Sequence, residues 1–562
     1  MKICSYFLVI AMVFMSLNSC KPKERGDFGN TISANKELIK NGKVAFEELC
    51  SSCHNFGQDA IGPNLSGITR TMPTNWIKEF IGSPKKKIDL KDPRAVALKE
   101  KYKAVMPDFQ HLSDADIEAI LAYMHTYDKA QFKKETDSNL IENPIREKII
   151  LSGETADLEY IGQIPASSAQ QPYTRINKLA CEKNSGRLFV NDLRGTLFEL
   201  KEGGEPSVYL DLNKTHPNFI DKNGMATGFG SFAFHPEFNK NGLFYTSHTE
   251  VAGSKPADFK LPDSIKVVMQ GVVTEWKAKD PSSMSFSGST RELIRFDFIA
   301  NSHGLQEIAF NPFANKGDQD YGNLYISIGD VGAVQVGYPK IADHHGADIW
   351  GSILRIDPLG NNSVNTKYGI PKDNPFVGYT DKKKEIWAYG FRNPNRISWM
   401  DRNRILASDI GQANIEELNI VEPGNFYGWP IREGRFMFNP NGNFNNVYEL
   451  PDNDLEDFIT YPIVQYDHDE GPAISGGFIS KGKLFDGKYI FGDIPTGRLF
   501  ISDLWNTDNP RIEELKIAIN NEQINFYELT KSNRVDLKFG RGCVDDIYIF
   551  TKADGKIYRL ME

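Results

Sequence analysis

From residue 151 to residue 562, short apolar or aromatic runs alternate with turns rich in Gly, Asp and Asn, and this recurrence limits the fold more than any other feature. Arg187–Asn191 pairs with Thr196–Leu200, Tyr489–Asp493 with Arg498–Ser502, and Asp546–Phe550 with Lys556–Leu560. Each unit reads as strand, turn, strand. The intervals suit propeller blades, and about 410 residues accommodate six of them with insertions. The expectation for residues 151–562 is an all-β, six-bladed β-propeller. Such a fold usually closes by pairing its terminal strands in one blade. That would bring Cys181 and Cys543 to the same region, either as a disulfide or as two buried thiols. Aromatic residues at 12% and 47 glycines agree with a turn-rich β body, and a net charge of -9 gives no sign of nucleic-acid binding.

The N-terminus is of another kind. Lys2 precedes a mostly apolar run, Ile3–Leu17, which is short for a membrane span and suited to the core of a signal peptide. Leu17-Asn18-Ser19-Cys20 resembles a bacterial lipobox, which implies a lipid on Cys20. Residues 1–20 are then a lipoprotein signal and the polar residues 21–30 a tether. The expected location is periplasm-facing or on the outer membrane of a bacterium, with the chain exported and held to the membrane by its lipid.

Between tether and propeller, Cys50-Ser51-Ser52-Cys53-His54 forms a C-x-x-C-H motif. Two thiols at this spacing can add to haem vinyl groups, and the adjacent imidazole then falls beneath the iron as an axial ligand. No second C-x-x-C follows to complete a zinc site. Lys43–Cys50 reads as helix, Trp76, Ile77, Phe80 and Ile81 have helical apolar spacing, and Ser113 is a candidate N-cap for a terminal helix through Met124. With Gly62-Pro63-Asn64-Leu65 and Met106-Pro107 in order, residues 31–127 resemble a class I cytochrome c. The resemblance implies a small all-α domain with one covalent haem c. Cys50 and Cys53 form its thioethers, and His54 and Met106 are its iron ligands, with His111 as the rival to Met106. Such ligation leaves no open iron site, so the domain is expected to move electrons. Residues 128–150 are charged and read as a linker.

The propeller region carries a further ordered set: Phe232–Phe238, His303–Pro312, Leu324–Asp330, Gly351–Asp357, Tyr389–Arg396, Gly411-Gln412, Glu416–Val421, Tyr427–Pro430 and Phe491–Arg498. In this order they resemble the glucose/sorbosone dehydrogenase family, which includes soluble quinoprotein glucose dehydrogenases, aldose sugar dehydrogenases and the propeller of Hedgehog-interacting protein. The resemblance implies oxidation of a sugar or other alcohol by pyrroloquinoline quinone (PQQ) with Ca2+. His303 falls at the position of the base and Asp330 at that of its orienting carboxylate. Arg392 and Asn393 fall on the cofactor, Gln335 on the substrate, and Arg541 is a candidate for a further cofactor cation. The backbone carbonyls of Gly411 and Gln412 correspond to ligands of the cofactor calcium, and Glu416, Glu417 and Tyr427 to a second calcium site.

The sequence also departs from the family. Pro495 stands where the glucose enzymes place a lysine on the cofactor, and Ala226 and Ser302 stand at sugar-contacting positions. Two readings follow. One is a dehydrogenase that passes electrons from reduced quinone to its own cytochrome domain and on to a periplasmic or membrane acceptor. The other is a non-catalytic propeller that binds a glycan or protein beside an electron-transfer domain.

Overall fold

The computed structural model describes residues 32–127 and 139–561, apart from residues 52–53, 58, 60–61, 103–105, 111, 202, 223, 225–226, 453, 455–457, 506–509 and 533. The signal and tether, with Cys20, lie outside the described residues, as do Cys53, Ala226, His111 and most of the charged stretch after residue 127.

The N-terminal part is helical. The helix Lys36–Leu49 starts at Asn35, whose side chain accepts from the Glu37 and Leu38 N–H groups, and ends at Cys50. The helix Asp114–Met124 starts in a capping box formed by Ser113 and Asp116. The two helices cross closely because residue 42 is glycine: a Cβ there would lie 1.8 Å from the Ala119 carbonyl oxygen. Their crossing buries Phe46, Ile117, Ile120, Leu121 and Met124, against which Ile77 and Ile81 of the helix Thr74–Gly82 pack.

The remainder is built from six four-stranded antiparallel units, the blades of a propeller; three are separate sheets, and the other three are joined by parallel pairings into one thirteen-stranded sheet. Blade 1 runs from Ile176–Glu182 to Ser207–Asp211, blade 2 from Phe229–Phe234 to Gly288–Phe298, and blade 3 from Leu305–Phe310 to Ile386–Tyr389. Blade 4 runs from Pro394–Trp399 to Val464–Asp467, and blade 5 from Ile474–Ile479 to Glu513–Ile519. Blade 6 combines Leu537–Arg541, Ile547–Thr551 and Lys556–Met561 with Ile150–Gln163, which arrives from far earlier in the chain. The first strands of successive blades touch one another in a ring, and that of blade 6 meets that of blade 1. Strands such as Leu324–Ile328 are buried at every residue, because neighbouring blades cover both faces.

Across the ring, Glu307 of blade 3 is ion-paired with Lys178 of blade 1 and, at 2.8 Å, with Arg396 of blade 4. An insert in blade 4 forms a small accessory sheet, whose edge is Leu140–Ile141 paired with Val447–Tyr448. The end of the stretch read as linker is therefore docked on the propeller well before residue 150.

Cys181 and Cys543 form a disulfide with a Cα–Cα distance of 5.2 Å, joining blade 1 to blade 6 where the ring closes. It closes a loop of 362 residues, so the chain-entropy argument gives a stabilisation of at most about 6 kcal/mol. Replacing both cysteines with serine should lower the thermal midpoint of the propeller transition by several degrees in calorimetry. An unchanged midpoint would show that the bridge does not hold the closure.

Candidate active site

The motif at Cys50 sits at the end of the helix Lys36–Leu49. His54 is buried, and its Nδ1–H donates to the Pro63 carbonyl at 2.9 Å, which leaves Nε2 as the free lone pair. Burial lowers its pKa, against the raising effects of that hydrogen bond and Asp59, so the ring is held neutral. Gly62 packs against the ring, where a Cβ would come within 2.3 Å of Cε1. Cys50, His54 and Met106 line an otherwise largely apolar space with Leu65, Trp76, Phe80 and Met124. A wide apolar slot with one thiol, one neutral imidazole and one thioether in its wall fits a covalent haem.

That space continues into the propeller as one cavity of about 490 Å³, whose wall there includes His303, Arg392, Asn393, Gly411 and Pro495. Gln335 Nε2 donates to the Ser51 carbonyl at 2.8 Å, joining the loop after Asp330 to the C-x-x-C-H motif.

His303 lies just before the first strand of blade 3, in the left-handed region at φ +50°. Non-glycine residues rarely adopt that conformation, and here it is set by backbone bonds such as Val331 N–H to the His303 carbonyl. The imidazole is buried, and Nδ1–H donates to Asp330 Oδ1 at 2.7 Å. Asp330 Oδ2 accepts from Trp429 Nε1 at 3.0 Å, and Oδ1 also accepts from Gly332 N–H at 2.8 Å. Burial pushes the Asp330 carboxyl up, but the His303 and Arg392 charges and these donors outweigh it and hold it below its ordinary value. Burial, then the Arg392 charge, pull the His303 pKa down against the raising effect of Asp330. The result is a neutral imidazole of fixed tautomer, with no hydrogen bond to Nε2 among the described residues, which is the state a general base requires.

Arg392 and Asn393 stand where blade 3 passes into blade 4, and both backbone N–H groups donate to Asp409. The Arg392 side chain donates to Gln412 Oε1 at 3.0 Å and to the Ile410 carbonyl at 2.8 Å, leaving Nη2 without a protein partner among the described residues. The buried Asn393 side-chain oxygen also lacks a partner. The loop 411–415 is organised by Glu433, whose Oε1 accepts the N–H groups of Gln412, Ala413, Asn414 and Ile415. The Gly411 and Gln412 carbonyls accept no hydrogen bond among the described residues, and Gly411 faces the cavity.

Other positions lie elsewhere. Glu416, Glu417 and Tyr427 do not converge, because consecutive strand residues point to opposite faces. Glu416 accepts from His468 Nε2 at 2.8 Å and from Ile474 N–H. Glu417 accepts from Gly434 N–H and Asn419, and burial followed by the Asp409 charge pushes its pKa up to about 8. The Tyr427 hydroxyl donates to the Ile420 carbonyl. Among the described residues, no group of three His, Cys, Asp or Glu side chains could hold a metal ion. Arg541 pairs with Asp545 at 2.7 Å and donates to the Ile479 carbonyl, away from the cavity wall. Trp429 and Glu433 escaped the sequence reading; the only signal was Trp429 within the Tyr427–Pro430 motif.

Comparison with known proteins concerns the two domains and their folds. Residues 39–128 match the cytochrome c family. HIPL2 protein of Arabidopsis thaliana is 29% identical over 374 residues, covering 57% of this chain and 50% of that protein. Quinoprotein glucose dehydrogenase B of Acinetobacter calcoaceticus is 27% identical over 228 residues, covering 38% and 42%. The chain spans about half the length of the curated relatives it matches. Among solved structures, the soluble aldose sugar dehydrogenase of Escherichia coli in its apo-form has a TM-score of 0.50 at 16% identity, covering 72% of this chain and 99% of that one. A glucose dehydrogenase gives 0.51 at 17%, with the same coverage, and at such identities the likeness concerns the fold. Residues 175–523, more than half of the chain, match the glucose/sorbosone dehydrogenase family, and the chain belongs to that family with a cytochrome c domain ahead of the propeller.

Proposed function

We propose that the chain is an exported oxidoreductase that oxidises a sugar or other alcohol with PQQ and calcium and passes the electrons to its own haem. One observation carries this reading: the haem-ligand residues His54 and Met106 and the base-and-clamp residues His303 and Arg392 line a single cavity. The quinone and calcium supply a polarised two-electron acceptor, and the haem iron supplies a one-electron relay. His303 Nε2 takes the substrate hydroxyl proton, while Asp330, fixed by Trp429 and Gly332, keeps Nδ1 protonated and stabilises the imidazolium that results. Arg392 Nη2 is placed for a carboxylate, and the Gly411 and Gln412 carbonyls offer the hard oxygens that calcium prefers. His54 and Met106 are the residues that would hold the haem iron, which would then supply one-electron transfer rather than oxygen chemistry. The cytochrome domain brings an acceptor beside the quinone, and Gln335 holds the two domains in register. The lipobox-like Cys20 ties the chain to a membrane, so onward electrons go to a periplasmic or membrane acceptor.

Haem-loaded protein supplied with quinone and calcium should show haem reduction when an aldose or another alcohol is added. Replacing His303 with Ala should slow that reduction by about 100- to 10,000-fold, the range for loss of a positioned general base, while leaving quinone binding nearly intact. Wild-type haem that no sugar or alcohol reduces would leave the glycan- or protein-binding reading in place.

Two further outcomes follow from the same reading. Met106→Ala should remove the methionine-to-iron absorption band, whose persistence would make another residue the ligand. Cys20→Ala should move the protein from the membrane fraction to the soluble one, and unchanged partition would exclude the anchor.

A further inference from the structure

The propeller part of the cavity carries more positive charge than the protein neutralises. Arg175, Arg392, Arg534, Lys538 and Lys552 all line it, against Asp536 as the one carboxylate among the described lining residues. Arg175 spends its guanidinium on the backbone carbonyls of Asp221, Gly224 and Thr227, which are neutral acceptors. Arg534 Nε donates to Asp536 at 2.6 Å. Lys538, on the first strand of blade 6, is buried, and its ammonium has no hydrogen-bond or ion-pair partner among the described residues. Lys552, in the turn that follows Ile547–Thr551, likewise has none. The nearby Glu307 is already taken up by Lys178 and Arg396. Burial, then the charges of Lys552 and Arg396, pull the Lys538 pKa well down; burial, then Arg175 and Arg534, bring Lys552 down to about 8 against the effect of Asp536.

Lys538 is buried and Lys552 half-buried, and Asp536 is the one carboxylate they share with Arg175 and Arg534, so an anion entering this wall would restore and pair their charge; such a cluster marks a place built for an anion. A neutral sugar cannot supply it. A tricarboxylate cofactor can, and the family's own lysine is missing here at Pro495, which lines the same cavity. We infer that Lys538 and Lys552 bind the carboxylates of the quinone, supplying from blade 6 the charge that Pro495 cannot. The inference rests on the quinone reading above. A haem propionate is the other carboxylate the shared cavity could hold, but the cytochrome wall has its own cations in Arg94 and Lys99.

The test is equilibrium dialysis of PQQ with calcium against full-length, haem-loaded protein, comparing wild type with K538M, K552M and the double variant. Each lysine removed should raise the Kd about ten-fold or more, the value of a hydrogen bond to a charged group. The quinone-free thermal midpoint should hold or rise, because the substitutions relieve like-charge repulsion. The haem midpoint potential should not move. Should the Met variants fold poorly, K538R/K552R keeps the charge and should retain most of the affinity. Wild-type binding with equally tight binding by the double variant overturns the inference alone. A shifted haem potential with unchanged quinone affinity overturns it in favour of a propionate. Wild type that binds no quinone removes the quinone reading itself, and the inference with it.

Discussion

The ion-paired knot at Glu307 ties blades 1, 3 and 4 together across the centre of the propeller. Lys178 and Arg396 both spend their charge on it, and all three side chains are buried. Replacing such a group with apolar residues need not cost stability, but removing one member leaves a bare buried charge and costs about 3–5 kcal/mol. Blade position therefore depends on this contact, and so does the site, because His303 begins blade 3 and Arg392 precedes blade 4. The disulfide secures the ring where its ends meet, and the knot secures it from inside.

Around that frame, the site combines strain with electrostatic order. His303 and Val331 are both in the left-handed region, a conformation that costs a β-branched residue more than most, and both lie on the loops that bring the imidazole to Asp330. Trp429 and Gly332 saturate the carboxylate, so Asp330 has no reason to turn away. Behind Arg392, Asp409 and Glu433 collect backbone N–H groups and fix the loop that presents the Gly411 carbonyl. The outcome is a neutral imidazole, a partly free guanidinium and two unengaged carbonyls held in place by the fold itself, the kind of preorganisation that the proposed catalysis would use.

Much of this was legible in the sequence because the signals were local. Strand–turn–strand recurrence pointed to the propeller class, the C-x-x-C-H motif to the cytochrome c domain, and the motifs ending at Asp330 and Arg396 to the hydrogen-bonded pair His303–Asp330 and to Arg392 in the same cavity wall. What escaped depends on partners far apart in the chain. Trp429 reaches Asp330 across 99 positions, Glu433 holds a loop some twenty residues earlier, and Lys552 meets Arg175 only after the ring closes. Glu416 and Glu417, adjacent in sequence, point to opposite faces of their strand and take different partners. Gln335 bonds the haem motif through its Nε2, a contact that only the placement of two domains could reveal.

The central claim is that sugar electrons reach the haem within one chain, through the shared cavity. It is tested most directly by single-turnover mixing of quinone-loaded, oxidised protein with saturating substrate, following haem reduction as protein concentration varies ten-fold. The account predicts a first-order rate constant independent of protein concentration, since donor and acceptor share a chain. A rate that rises in proportion to protein concentration would contradict it, because electrons would then pass between molecules rather than across the cavity.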